Sequence, residues 1–195
     1  MNILWKPVSN YSSAEHDTSR EKPTAIVLHI GEGNRNQIYN WFSSPQSRAS
    51  SHYLVCSTGE IWQFVKDEDT AWHTGKVNNP KAELVLENKV LNPNSYTIGI
   101  ENEGMAGQLI SKLHWDSLIE LTDYLCEKYS IPLDEKHIIE HKEINSIKLC
   151  PGSQITKQKV IEDVNKLRQI KANLTQQVSL LQKIILLLKQ LLGIK

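Results

Sequence analysis

The chain has 195 residues, 39% hydrophobic and 23% charged, enough for one domain with a full core and unlike a wholly disordered polymer. Lys+Arg and Asp+Glu both number 22, so the formal net charge is zero and no nucleic-acid partner is expected. Three cysteines, Cys56, Cys126 and Cys150, are too few and too odd in number for a disulfide framework and fit a reducing compartment.

The opening string MNILWKPVSNYSS has no charged start followed by an apolar run, so it is not read as a secretory signal. Synthesis in the cytoplasm is expected, with delivery by other means if the substrate lies outside. Residues 1–22 read as an irregular arm. TAIVLHI (24–30) is β-branched and apolar and predicts a buried strand. Gly31 and Gly33 end it. Ile38, Trp41 and Phe42 then space as the apolar face of a helix over 34–44, with Asn34 as its cap. SHYLVC (51–56) and EIWQFV (60–65) flank Ser-Thr-Gly, a hairpin signal.

Residues 74–94 are polar and punctuated by Asn-Pro, predicting a long functional loop with one helical turn. SYTIGIENEG (95–104) predicts another strand. Leu113, Leu118, Ile119, Leu121 and Leu125 predict a helix over 111–129, capped by Ser111 and stopped by Pro132. HIIEH (137–141) reads as the last strand, with His141 at its end, and the loop 142–152 closes on Cys-Pro-Gly. The expected fold is α/β: a single central mixed β-sheet flanked by helices, plus a long C-terminal amphipathic helix.

Composition shifts near residue 156, dividing the chain into a domain at 1–155 and a helical segment at 156–195. Val160, Leu167, Ile170, Leu174, Leu181, Ile184, Leu188 and Leu191 fall mostly on a heptad seam. Val178, Leu180, Ile185, Leu187 and Leu192 add a second stripe. Lys183, Lys189 and Gln190 interrupt the apolar run, which falls short of the ~20 residues that span a bilayer. Three readings stay open: docking on its own domain, a homo-oligomer, or a membrane-surface helix flanked by Lys183, Lys189 and Lys195.

A catalytic zinc typically takes three protein ligands and keeps a position for water. His29 at the end of the first buried strand, His141 at the end of the last, and Cys150 just before Pro-Gly are candidates. Taken singly, a histidine is more often core or surface than ligand, and this spacing is no compact Cys-x-x-Cys signature.

Five ordered blocks say more: AIVLHI, SSHYLVCSTGEIWQFV, AWHTG, SYTIGIENEG and EHKEINSIKLCPG. Together, from about residue 24 to 152, they resemble the zinc-dependent N-acetylmuramoyl-L-alanine amidases, which include phage endolysins, wall-recycling amidases and peptidoglycan recognition proteins. The resemblance implies that His29, His141 and Cys150 bind Zn2+ and that the substrate is peptidoglycan or a muropeptide. It implies a catalytic role for Glu101 and stabilisation of the tetrahedral intermediate by Lys148. It places His73, Trp72 and His52 as substrate-side residues, His52 being more often structural. Period-two alternation puts Glu103 on the same face as Glu101 and leaves it a rival. Ser51 stands where some relatives carry a catalytic tyrosine, which favours the Glu101 version. The family pattern near Lys148 is richer in Gly and Arg than Asn145-Ser146-Ile147.

An endolysin acting on the cell wall is the expected role, with recycling of soluble muropeptides as a variant and a non-catalytic recognition module as the rival. Cys56 and Cys126 read as buried thiols, and His16, His114 and His137 as surface or structural.

Overall fold

Strand β1 (Ile3–Trp5) and strand β2 (Tyr11–Ser12) arise within the arm expected to be irregular. Segments of two or three residues show no periodicity to read; each exists because a partner strand supplies its hydrogen bonds. The computed structural model describes all residues except 16–18, 20 and 193–195, so His16 and Lys195 lie outside the described residues.

In chain order follow β3 (Ala25–Leu28), α1 (Arg35–Ser43), β4 (Tyr53–Val55), β5 (Ile61–Gln63), β6 (Thr70–Ala71) and α2 (Glu83–Glu87). Then come β7 (Thr97–Asn102), α3 (Lys112–Tyr129), β8 (Ile138–Glu140), α4 (His141–Ile144) and α5 (Lys157–Leu191). The main sheet has six strands in the order β1-β5-β4-β7-β3-β8, and β2 pairs with β6 separately. The β4–β5 hairpin is antiparallel and the other pairs of the main sheet are parallel, so the sheet is mixed as expected.

Both faces of the sheet are covered, which is why its strands read as continuous apolar runs. On one face Ile26, Leu28, Ile98, Ile100 and Ile138 pack with Leu118, Leu121 and Leu125 of α3 and Val160 and Val164 of α5. On the other, Val27 and Ile139 meet Leu84 and Val85 of α2, while Leu54 and Phe64 meet Ile38 and Phe42 of α1. Asn34 closes a capping box with Gln37 at the start of α1, and the Ser111 side chain accepts from His114 N–H at the start of α3. Both caps match the sequence reading.

Helix α5 has two parts. Val160 and Val164 are fully buried, so its first turns belong to the packed body although the composition shift precedes them. Arg168 and Lys171 both bind the buried Asp123 carboxylate at 2.6 Å. Beyond that point every described side chain is exposed. No helix among the described residues is long and apolar enough to cross a membrane.

Candidate active site

Neighbouring β7, β3 and β8 end side by side, and open α/β sheets place ligands in the crevice beyond such carboxyl ends. His29 follows β3 directly and Glu101 is the penultimate residue of β7. His141 is not the strand end expected from the sequence: Glu140 is the last strand residue and His141 opens α4. Glu140 forms a capping box with Glu143 there, which bends the chain at that residue. Cys150 returns from the following loop. Its carbonyl accepts from Lys142 N–H at 2.9 Å and its sulfur from Ile30 N–H at 3.1 Å.

One atom each from His29, His141 and Cys150 falls within a 4.8 Å cluster. His29 Nδ1 lies 3.1 Å from His141 Nδ1 and 3.9 Å from Cys150 Sγ. A tetrahedral ion with bonds of about 2.05 Å to nitrogen and 2.3 Å to sulfur would hold N and N about 3.3 Å apart, and N and S about 3.6 Å apart. The two separations made by His29 lie close to these values, and the three groups together stay within 4.8 Å, so they could hold a metal ion.

Hydrogen bonds behind the cluster assign the protons. Thr97 Oγ donates to Pro93 O at 2.6 Å, so it accepts from His73 Nε2–H at 3.1 Å. His73 Nδ1 then carries a lone pair and accepts from His29 Nε2–H at 3.1 Å. His141 Nε2–H donates to the Thr74 carbonyl at 3.0 Å. A neutral imidazole carries one N–H, so both Nδ1 atoms present bare lone pairs to each other. Two lone pairs make no hydrogen bond; a cation between them resolves the arrangement. Burial, reinforced by the neighbouring histidines, holds His29 well below the usual imidazole range, and burial lowers His141. Burial and the nearby Glu101 push the Cys150 thiol up. Burial thus favours the neutral form of all three groups.

Gly99 gives His73 its place. A Cβ at Gly99 would come within 2.6 Å of His73 Cγ, so only glycine lets the ring lie against β7. Asn94 Oδ1 accepts from the His73 and Thr74 backbone N–H groups at 3.1 and 2.9 Å and fixes that segment. Thr97, Thr74 and Asn94 went unnoticed in the sequence, where nothing marks a residue that acts through a neighbour.

The cluster opens into a groove of about 1080 Å³ whose lining includes Glu101, Lys148, Trp72 and Trp41. Glu101 Oε2 is buried without a hydrogen-bond partner among the described residues. Burial, then the charge of Glu32, pushes its carboxyl up to about 8 against the opposing pull of Lys148. Glu103 is spent elsewhere: it accepts from the Arg35 and Ser57 backbone N–H groups and pairs with the Arg35 side chain. Burial would raise its pKa, but these partners outweigh that and lower it. Trp41 shares the helical spacing of Ile38 and Phe42, yet it is 58% exposed at the groove. A face wide enough for Ile38 and Phe42 leaves its edge residue outside.

His52 is fully buried and absent from the groove lining. Its Nδ1 accepts from Gly99 N–H and its Nε2 donates to Asp69 O, so it braces β7 from behind. Ser51 is buried too, with its hydroxyl on Gly99 O. Asn145, in the string that departs from the family pattern, is buried and ties the Lys148 loop to Lys76 O at 3.1 Å. His114 is buried against Asn102, and Cys56 and Cys126 are buried free thiols.

Residues 19–153, which include all of these groups, match the family described as N-acetylmuramoyl-L-alanine amidase. The chain belongs to this family. N-acetylmuramoyl-L-alanine amidase A of Achromobacter lyticus is 36% identical over 106 residues, covering 53% of this chain and 48% of that protein. The 1,6-anhydro-N-acetylmuramyl-L-alanine amidase AmpD of Haemophilus influenzae is 31% identical over 120 residues, covering 61% of this chain and 60% of that protein. The chain spans about half to three-fifths of the length of these curated relatives. A crystal structure of a selenomethionine AmpD derivative shares the fold of this amidase-family chain, with a TM-score of 0.65 at 23% identity, over 83% of this chain and 93% of that one.

Proposed function

We propose that the chain hydrolyses the amide between the lactyl group of N-acetylmuramic acid and the first L-alanine of the peptidoglycan stem peptide, and that it uses zinc. The observation that carries this reading is the facing pair of Nδ1 lone pairs beside Cys150, opening into the groove that Glu101 lines. His29, His141 and Cys150 would hold the ion. Zinc held there would supply Lewis acidity toward water and the scissile carbonyl.

The remaining steps fall to the chain's own side chains. Glu101 lines the groove with a carboxylate oxygen that has no partner among the described residues, and in its ionised form it takes the proton of the attacking water and passes it to the leaving amine. Lys148 lines the same groove and donates to the oxygen that gains charge in the tetrahedral intermediate. Trp41 and Trp72 offer apolar walls to sugar rings, and Arg48 and Lys76 offer cations to the carboxylates of a stem peptide. His73 was expected to touch substrate, but both ring nitrogens are engaged by His29 and Thr97. Its proposed role is to position His29, with Thr97 acting through it. Among wall-degrading roles we favour an endolysin over a recycling enzyme, because the projecting half of α5 suits attachment near an immobile polymer, where local concentration replaces affinity.

Appearance of new L-alanine amino termini decides the matter, measured on purified peptidoglycan and on soluble muropeptides, with zinc and with chelator. Zinc-dependent release is expected, faster on the polymer. Faster release from soluble fragments would make it a recycling enzyme. Tight metal binding with no release from either substrate would make it a recognition module.

A further inference from the structure

We propose that the outer half of α5 is a membrane-surface helix that lays its apolar side on an anionic lipid bilayer. This inference is independent of the amidase reading. From Ala172 onward the helix leaves the body, and the described stretch to Leu192 extends roughly 30 Å at 1.5 Å per residue. At 3.6 residues per turn, Leu174, Leu181 and Leu188 form one line, with Ile184 and Leu191 beside it. Leu180 and Leu187 extend the apolar sector on one flank, and Val178 and Ile185 on the other. The sector covers roughly half of the circumference. All nine of these side chains are exposed.

Two observations choose the occupant. A two-stranded seam needs only a narrow stripe, and the positions flanking it commonly carry the charges that select a partner helix. Here those flanking positions are Val178, Leu180, Ile185 and Leu187, which no partner-selecting charge interrupts. The second observation is charge. Beyond Asp163 the sequence contains no acidic residue but has Lys166, Arg168, Lys171, Lys183, Lys189 and Lys195. The first three pair with Glu162, Asp163 and Asp123. Lys183 and Lys189 fall one on each side of the apolar sector, where a lysine stem can lie along apolar surface and its ammonium reach a headgroup. A half-apolar cylinder edged by cations, with no anion of its own, complements a surface that is apolar below and negative above. It is too short in uninterrupted apolar length to cross that surface.

The test is co-sedimentation of the full chain with vesicles of phosphatidylglycerol mixed into phosphatidylcholine, compared with phosphatidylcholine alone. Binding to the anionic vesicles is expected to be tighter by roughly tenfold or more, from the lysines near the surface. Added salt should erode that margin. Leu181→Asp with Leu188→Asp should abolish binding at unchanged thermal stability, since both sites are exposed. Lys183→Gln with Lys189→Gln should erase the anionic preference. Equal binding to both vesicle types would overturn the proposal, as would binding that survives the paired aspartates. Failure to bind either vesicle would overturn it too; if sedimentation equilibrium then showed an oligomer that the aspartates dissolve, the occupant is a second copy of this chain.

Discussion

Asp67 and the histidine cluster are both buried polar groups packed against the same sheet, and they differ in how fully their valences are used. Asp67 Oδ1 accepts from Tyr53 at 2.6 Å and Gln63 at 3.1 Å; Oδ2 accepts from Lys128 at 2.9 Å and Tyr129 at 2.7 Å. Burial alone would raise its pKa, but hydrogen bonds from Lys128, Tyr53 and Tyr129 outweigh that and hold the carboxyl below its ordinary value. At the strand ends the opposite holds. Lone pair faces lone pair at 3.1 Å, and Glu101 Oε2 has no partner among the described residues. A saturated network has nothing left to bind with and serves the fold. An unsaturated one is costly to bury and persists where a ligand completes it.

Four substitutions break or sharpen this contrast. Glu101→Gln is expected to lower kcat by about 10²–10⁴ while leaving metal content unchanged, as measured by turnover and by metal analysis of the purified protein. Were Glu101 merely structural, kcat would follow the fraction folded. Cys150→Ala removes one of the three proposed ligands. Dividing the ~10–16 kcal/mol of a four-ligand zinc site equally gives a loss of a few hundredfold in affinity, readable by competition with a chelator dye. Asp67→Asn should do the reverse: about 3 kcal/mol of stability lost in urea unfolding, with metal affinity intact. Because Asp67 is held below its unfolded pKa, its contribution is complete above that unfolded value and disappears as pH falls through the folded one. The gap between wild type and Asp67→Asn should therefore close in acid. Thr97→Val is the subtlest case. Removing the hydroxyl frees His73 to take either tautomer, and metal affinity should fall by roughly 10–100-fold. Thr97→Ser should restore it, and long-range ¹⁵N shifts of His29 and His73 should report the altered tautomer. Unchanged shifts and affinity in Thr97→Val would remove Thr97 from the site.

The sheet and its caps were legible because their signals are local. AIVLHI and TIGIE are apolar on both faces, and Asn34 and Ser111 stand where helix starts need acceptors. Strand β1 was not legible, since three residues become a strand only when β5 is beside them. Alternation could not choose between Glu101 and Glu103, which lie two residues apart. What sets them apart in the structure is that β7 ends at Asn102 and Glu103 turns toward Arg35 and Ser57. The metal-ligand candidates were readable through resemblance, but the relay behind them was not. Two of its anchors are the carbonyls of Pro93 and Thr74, and a main-chain carbonyl leaves no trace in residue type.

The cluster gathers residues 29, 73, 97, 141 and 150, which meet only when β3, β7 and β8 lie in register. No short stretch of the unfolded chain can imitate it. An ion held there would therefore prefer the native state, and its binding would add to the free energy of folding by up to RT ln(1 + [ion]/Kd). On the proposed zinc reading, metal supply would control survival as well as catalysis. A chain stripped of its ion should unfold at lower temperature and be degraded sooner, so its lifetime would track the free metal around it.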